Sequence, residues 1–252
     1  MVRAAILVSG NGMLLQSVLD AMYFGEIPDF ELVAVICTDA NAYAMRRAAN
    51  AKVESFVVEP DNFPTKLSYS MAISNKLKDM DIDLVIVADY DMPLGVISTQ
   101  FRKRIIGVYP SLIPAFVNCD DSPVRAAMER GCKVTGATAF FADIDGNIGP
   151  IIAQQAIDIH PDDTLQSLNR RIMEEAAWKL LPKAVALFCR NRLEIHGERV
   201  IIREDKNWFC IRKLRTVWFG VFVFINVMPL RVCRALRKCT DMRPRRAPEQ
   251  GR

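Results

Sequence analysis

The feature that most constrains the fold of this chain is the alternation of short apolar runs with longer amphipathic segments over its first two hundred residues. The short runs predict strands over Ala4–Ser9, Glu31–Cys37, Val53–Val58, Leu84–Ala88 and Arg104–Val108. The longer segments predict helices over Leu14–Met22, Ala42–Ala51, Lys66–Met80 and Val96–Lys103. This succession indicates βαβ units, so we expect an α/β fold with a doubly wound, mostly parallel sheet of the Rossmann type.

The pattern changes from Val134 onward, where β-rich segments replace the regular alternation. Two long segments flank an Asp-Gly-Asn turn and predict a hairpin of Val134–Ala142 with Ile151–Ile159. A long helical pattern and a final pair of short strands complete the domain, over Thr164–Phe188, Arg192–Ile195 and Arg199–Arg203. We therefore expect the C-terminal half of the domain to be β-rich.

A glycine-rich turn follows the first predicted strand. Ser9-Gly10-Asn11-Gly12 lies between that strand and the next helix, where backbone N–H groups and the positive helix end can approach an anion. A plain tight turn has the same spacing and is the alternative interpretation. We expect a phosphate group to bind at Gly10, Asn11, Gly12, Met13 and Leu14. Ligands of doubly wound sheets bind at the carboxyl ends of the strands, so the loops Asp89–Pro93 and Tyr109–Asp121 are expected to border the same site.

Charge is distributed unevenly along the chain. Residues 206–252 contain 12 Lys and Arg against 2 Asp and Glu, whereas residues 1–205 contain 21 against 27. We expect a domain over residues 1–205 and a basic C-terminal extension over residues 206–252 outside its core. Within residues 214–232 of the extension, Val217–Leu230 is a 14-residue run, apolar apart from Asn226, which is shorter than the roughly 20 apolar residues of a membrane span. Contact with a membrane surface is the alternative to an extension without a role in the chemistry.

The seven cysteines form no CxxC pair, which argues against both a disulfide framework and a zinc ribbon. We expect reduced thiols and no bound metal. The first apolar run has neither the length nor the cleavage site of a signal peptide, so a cytoplasmic location is expected. The basic extension carries no recognised nucleic-acid-binding motif, so no nucleic-acid partner is expected.

Several motifs occur in order along the first two hundred residues. They are Ser9-Gly10-Asn11-Gly12 with Gln16, Val87-Ala88-Asp89-Tyr90-Asp91-Met92, Gly107-Val108-Tyr109-Pro110-Ser111-Leu112-Ile113-Pro114, Gly136-Ala137-Thr138 and Asn147-Ile148-Gly149-Pro150-Ile151-Ile152. In this order and spacing they resemble the folate-dependent formyltransferase family, and within it the phosphoribosylglycinamide formyltransferases. The resemblance ends near Arg203.

The resemblance implies transfer of a formyl group from 10-formyltetrahydrofolate to the amine of glycinamide ribonucleotide, a step in purine biosynthesis. It implies that the glycine-rich turn holds the substrate phosphate. The segment from Val87 to Met92 corresponds to the family's Leu-Ala-Gly-Phe-Met-Arg loop, which forms part of the folate pocket. On this basis the expected folate-binding residues are Asp89, Tyr90, Asp91, Met92 and Gly107.

The residues expected to react depart from the family pattern. The family has Asn, His and Asp where this chain has Gly107, Tyr109 and Asn147. Attack of an amine on a formyl carbon builds negative charge on oxygen and leaves a proton on nitrogen, so donors and a proton acceptor are needed. Tyr109 and Asn147 offer donors, and we expect Asp143 or Asp145 to accept the proton. Asp89 and Asp91, on the opposite wall of the expected site, are the other carboxylates that could do so. The alternative is that Asp-Ile-Asp-Gly-Asn is an ordinary turn.

Two other functions remain open from the sequence. One is a catalytically inert module that keeps the fold and binds a phosphate or a folate. The other is a formyltransferase acting on another amine, such as methionyl-tRNA or a nucleotide sugar. The expected partners are the small-molecule substrates glycinamide ribonucleotide and the folate, and the sequence does not determine the oligomeric state.

The first prediction concerns the domain boundary. Both the charge balance and the pattern of apolar residues change near Asp205. We therefore expect a chain truncated after Asp205 to unfold cooperatively, with a thermal midpoint within a few degrees of that of the full chain. Thermal unfolding followed by far-UV circular dichroism measures this. Aggregation of the truncated chain, or loss of its far-UV signal, would show that residues 206–252 belong to the core.

Overall fold

The computed structural model describes residues 1–117, 119 and 122–204. The strands are β1 (Val2–Val8), β2 (Phe30–Cys37), β3 (Glu54–Val57), β4 (Leu84–Ala88), β5 (Ile105–Tyr109), β6 (Val134–Ala142), β7 (Ile148–Asp158), β8 (Leu193–His196) and β9 (Arg199–Ile202). The helices are α1 (Met13–Tyr23), α2 (Tyr43–Asn50), α3 (Lys66–Asp79), α4 (Val96–Gln100), α5 (Pro123–Glu129), α6 (Leu165–Arg171) and α7 (Trp178–Cys189). A 3₁₀ turn covers Pro60–Asn62, and a π-helical turn, Ile172–Ala177, joins α6 to α7.

The described strands form one sheet in the order β3-β2-β1-β4-β5-β6-β7-β9-β8. The first five strands are parallel, and β6 runs antiparallel to both β5 and β7. The chain builds outward from β1 to β3 and then returns to place β4 on the other side of β1. This reversal creates a switch point between β1 and β4, which is where doubly wound sheets bind ligands.

Two apolar cores lie on the two faces of the sheet, and β1 contributes to both. Ala4, Ile6 and Val8 belong to the core that includes α1, α2 and α7, whereas Ala5 and Leu7 belong to the core that includes α3 and α4. Successive side chains of a strand point to opposite faces, so a strand buried on both faces becomes a continuous apolar run. This is why the first strand was evident in the sequence.

The predicted fold class is confirmed: the sheet is mostly parallel in its first half and antiparallel in its second. The helix predicted over Thr164–Phe188 is interrupted by the π-helical turn between α6 and α7. The helix predicted over Val96–Lys103 ends at Gln100, because Lys103 has a left-handed backbone (φ 62°) that turns the chain into β5.

The strand predicted to begin at Ile151 begins at Ile148 instead. The strand thereby includes Pro150, which cannot donate a backbone hydrogen bond. The structure accommodates it where the β6–β7 register shifts, next to Phe140. The loop between the two strands is consequently shorter than predicted.

Met1–Glu204 forms one compact unit. The predicted extension, residues 206–252 with its apolar segment 214–232, lies outside the described residues. No helix within the described part of the chain is long and apolar enough to cross a membrane.

The second prediction concerns the close approach of β6 and β7. An ideal Cβ at Gly136 would lie 2.0 Å from the backbone oxygen of Gln155, which cannot move away without separating the strands. We expect Gly136→Ala to cost about 3 kcal/mol or more of unfolding free energy. Urea denaturation measures the loss.

Gly131→Ala is the matched control for this prediction. Gly131 has a left-handed backbone (φ 71°), and a Cβ there meets no atom within 4 Å. This change should cost only the backbone strain, about 1–2 kcal/mol. Equal losses for the two variants would contradict the steric argument.

Candidate active site

The glycine-rich turn has a left-handed backbone at both glycines. Gly10 and Gly12 have φ of 73° and 68°, and α1 begins at Met13 without a side-chain cap. An ideal Cβ at Gly12 would lie 2.8 Å from the Cβ of Ala44, whereas a Cβ at Gly10 meets nothing within 4 Å. Gly12 therefore lets α2 pack against the turn. The first backbone N–H groups of α1 have no partner within their helix, and such groups bind anions.

Arg47 of α2 is the cationic side chain that holds this turn. Its guanidinium donates to the backbone oxygen of Asn11 (3.0 Å), to the Oδ1 atom of Asn11 (3.3 Å) and to the Oε1 atom of Gln16 (3.0 Å). It also lies 4.8 Å from the ring centroid of Tyr43. Arg47 was not among the site residues predicted from the sequence. The one available signal was its place on α2, the helix that follows β2, because β2 neighbours β1.

A cavity of about 490 Å³ lies at the carboxyl ends of β4 and β5. All five residues predicted to bind the folate line it, together with Tyr109: they are Asp89, Tyr90, Asp91, Met92 and Gly107. Leu94 and Phe140 add apolar surface. A second cavity of about 550 Å³ lies between α1 and α7, and none of the predicted site residues lines it.

Ser9 joins the glycine-rich turn to the wall of the cavity. Its backbone N–H donates to the backbone oxygen of Asp89 (2.9 Å), and its Oγ atom accepts from the backbone N–H of Asp91 (3.3 Å). Thr38 also donates its hydroxyl to Ser9 Oγ (3.0 Å). Ser9 directly precedes Gly10, so the turn and the cavity are neighbours at the switch point between β1 and β4.

Asp89 is the first residue after β4 and has a φ of 52°, in the left-handed region that favours glycine. The residue as a whole is exposed at the cavity mouth. Protein atoms nevertheless desolvate its carboxyl, and together with the negative charge of Asp91 they raise the pKa of Asp89 to about 6. A carboxyl with a pKa in this range changes its charge close to neutral pH.

Tyr109 lies at the end of β5 and donates its hydroxyl to the backbone oxygen of Phe116 (2.7 Å). Burial raises the pKa of Tyr109, and the neighbouring Cys119 thiol contributes in the same direction. A tyrosine hydroxyl has one proton to donate. To stabilise an oxyanion, the hydroxyl would therefore have to leave Phe116.

The loop from Asp143 to Asn147 is held by its own first carboxylate. Asp143 Oδ1 accepts from the backbone N–H groups of Asp145 (2.9 Å) and Asn147 (2.8 Å). Ser98 of α4 donates to the backbone oxygen of Ile144 (2.7 Å) and fixes the loop from outside. From this loop, Gly146 lines the cavity at the carboxyl ends of β4 and β5. Asp145 and Asn147 are exposed.

Several of the predicted catalytic residues are therefore separated in the structure. Tyr109 lines the cavity, whereas Asp143 lines a different one on the far side of β6, next to Arg102 and Lys103. The described residues contain no cluster of three or more His, Cys, Asp or Glu side chains that could hold a metal ion.

Comparison with known proteins agrees with this geometry. The formyl transferase family matches residues 2–185. Phosphoribosylglycinamide formyltransferase from Haemophilus influenzae is 30% identical over 196 residues, which are 77% of this chain and 91% of the relative. This chain belongs to the formyl transferase family. The resemblance found in the sequence motifs is thereby confirmed.

Two further relatives support the same assignment. Phosphoribosylglycinamide formyltransferase from Mycobacterium tuberculosis is 34% identical over 196 residues, covering 77% of this chain and 88% of the relative. The crystal structure of glycinamide ribonucleotide transformylase 1 from Symbiobacterium toebii is 36% identical and superposes with a TM-score of 0.77, covering 81% of this chain and 95% of that one. The formyl transferase fold therefore extends over nearly the whole length of these relatives.

The third prediction concerns Arg47. Removing its guanidinium should release Asn11 and take one positive charge from the glycine-rich turn. We expect Arg47→Ala to weaken binding of ribose 5-phosphate about tenfold, equivalent to about 1.4 kcal/mol. Isothermal titration calorimetry measures the affinity.

Arg46→Ala is the control, because Arg46 is the adjacent exposed arginine on the same helix. It removes the same charge without removing the hydrogen bonds to Asn11. Equal affinities for the two variants would show that Arg47 does not organise the turn.

Proposed function

We propose that the protein transfers the formyl group of 10-formyltetrahydrofolate to the amine of glycinamide ribonucleotide, in purine biosynthesis. The observation that carries this proposal is the direct hydrogen bonding, through Ser9, between an anion-binding turn and a cavity large enough for a folate ring. A phosphorylated amine and a formyl donor need such adjacent sites. The relatives that match most of the chain bear the name of this activity.

The first half of the site suits the phosphorylated substrate. The turn at Gly10–Gly12 offers backbone N–H groups at the positive end of α1, and Arg47 adds a full positive charge beside Asn11. Met13 and Leu14 cannot donate from their side chains, so phosphate binding depends on the backbone and on this guanidinium. We assign the turn to the substrate phosphate.

The second half of the site suits the formyl donor. A pteridine ring is flat, largely apolar on its faces and polar at its edges. Phe140, Met92 and Leu94 supply apolar walls, while Asp89 and Asp91 supply acceptors at the rim. Pockets that combine apolar walls with a few polar groups are the usual sites of such ligands. We assign this cavity to 10-formyltetrahydrofolate.

We also propose a cytoplasmic location for the enzyme. Cys37, Cys132 and Cys189, within the described part of the chain, are free thiols. Reduced thiols are typical of a cytosolic enzyme.

The fourth prediction is the activity itself. We expect the purified chain to form formylated glycinamide ribonucleotide from 10-formyltetrahydrofolate, with release of tetrahydrofolate followed spectrophotometrically. Omission of glycinamide ribonucleotide is the control, because it separates transfer to the amine from hydrolysis of the donor.

Two outcomes would contradict the proposal. Binding of the folate and of glycinamide ribonucleotide without transfer would identify the chain as an inert member of the family. Transfer that requires a different amine, such as a nucleotide sugar, would identify another formyltransferase.

A further inference from the structure

We propose that Asp89 is the catalytic residue that accepts the proton of the attacking amine. This inference rests on the proposed function and assigns one role within it. The family pattern has an acidic residue where this chain has Asn147, and a glycine where this chain has Asp89. The chain has thus lost a carboxylate on one wall of the site and gained one on another.

Strand register puts Asp89 beside Tyr109. The adjacent parallel strands β4 and β5 pair Val87 with Gly107. Asp89 and Tyr109 each lie two residues beyond this pair, and both line the same cavity. Asp89 therefore stands at the carboxyl edge of the sheet, where the formyl donor is expected.

Asp89 also neighbours the glycine-rich turn, to which the substrate phosphate is assigned. The backbone oxygen of Asp89 accepts the N–H group of Ser9, the residue before Gly10. Asp89 consequently lies between the glycine-rich turn on β1 and the cavity wall on β5. An amine whose phosphate is held at the turn reaches the formyl donor across this position.

The competing carboxylates are less well placed. Asp143 accepts two backbone N–H groups with Oδ1 and lines a different cavity. Those two hydrogen bonds hold its Oδ1 atom within the turn. Asp145 does not line the cavity that contains Tyr109. Neither carboxylate of that loop meets the requirement for contact with the reacting amine.

The electrostatic surroundings suit a base that works near neutral pH. Desolvation and the charge of Asp91 raise the pKa of Asp89 to about 6, so the carboxylate form prevails above that pH. The other titratable groups that line the cavity are Tyr90 and Tyr109, and burial raises the pKa of both hydroxyls. Both tyrosines are therefore neutral when Asp89 ionises. A general base is most effective when its pKa lies close to the working pH.

The proposed step conserves atoms and charge. The lone pair of the amine nitrogen forms a bond to the formyl carbon, and the carbonyl electron pair moves to oxygen. Asp89 takes one proton from the nitrogen. When the oxyanion collapses, the bond from carbon to N10 of the folate breaks, N10 keeps the electron pair, and Asp89 returns the proton to N10. The products are the formamide and tetrahydrofolate.

Asp89→Asn tests the assignment because it removes the base and keeps the shape. Asparagine tolerates the left-handed backbone that Asp89 adopts, so the loop should survive the change. We expect kcat to fall by a factor of about 10²–10⁴. KM for glycinamide ribonucleotide should stay within about threefold, since acceptance of its proton contributes to the transition state and not to the ground state.

Asp81→Asn is the matched control. Asp81 precedes β4 at the opposite end of the same strand, has a φ of 51° and is exposed. This variant removes the same charge from the same backbone conformation and should keep the kcat of the unaltered enzyme. Thermal midpoints for both variants verify that the fold is intact.

The pH profile separates a catalytic base from a structural carboxylate. For the unaltered enzyme, kcat/KM should fall as pH drops through about 6, because protonated Asp89 cannot accept a proton. This acid limb should be missing from the residual activity of Asp89→Asn. In Asp91→Asn the limb should move to lower pH, because a like charge that raises the pKa of Asp89 has been removed.

Two results would overturn the assignment, and they are distinguishable. If the unaltered enzyme transfers formyl and Asp89→Asn keeps its rate, while Asp143→Asn or Asp145→Asn loses it, the base is in the other loop and the proposed function stands. If the unaltered enzyme binds both substrates but transfers no formyl group, the proposed function fails and this assignment fails with it.

Discussion

The hydrogen bonds of Ser9 are the interaction on which the rest of the site depends. Strands β1 and β4 pair as far as Val8 and Ala88, and the bond from Ser9 N–H to the Asp89 oxygen extends their pairing by one step. Beyond this step the two chains diverge, one into the glycine-rich turn and one into the cavity wall. Ser9 is 9% exposed, so these bonds are largely protected from competing water. A single buried residue thus sets the distance between the two proposed ligand sites.

Much of the fold could be predicted because its strands are buried on both faces. Val85 and Ile86 belong to opposite cores, and each such pair leaves a continuous apolar run in the sequence. The cavity wall could be anticipated for a related reason. Parallel strands direct their carboxyl ends to one edge, so residues that follow β4 and β5 must meet there. The resemblance to a known family then supplied the chemistry that periodicity alone does not contain.

The details that escaped prediction are contacts between residues distant in sequence, or local choices between two hydrogen-bonding patterns. Arg47 reaches Asn11 across 36 positions, and no local pattern indicates that pairing. The apolar spacing of one ordinary helix runs through both the π-helical turn (Ile172–Ala177) and α7, which contains Pro182. The spacing therefore did not indicate the π-helical turn. The sequence left Asp143 open between a base and an ordinary turn, and its carboxylate accepts two backbone N–H groups within that turn. In each case tertiary geometry decided the role.

The departure at Gly107 is coupled to the packing of the cavity. An ideal Cβ at Gly107 would lie 3.0 Å from Cζ of Phe140, on the neighbouring strand β6. The ring of Phe140 therefore occupies the space that a side chain at position 107 would need. Restoring the family's asparagine at this position would require the ring to turn away. The loss of one polar side chain and the presence of a large apolar one are thus two parts of the same change.

Two residues with a left-handed backbone affect the cavity: Asp89 lines it, and Phe116 binds the hydroxyl of Tyr109, which lines it. Phe116 has a φ of 59°, which a bulky residue rarely adopts, and its carbonyl is held by the Tyr109 hydroxyl. That bond uses the only proton of Tyr109, so the residue first stabilises the turn after β5. Asp89 is the second such residue, and aspartate tolerates the left-handed region better than most side chains. Its left-handed backbone sets a carboxylate at a position where the family pattern has glycine, and the proposed assignment places the proton acceptor of this cavity on the β4 side.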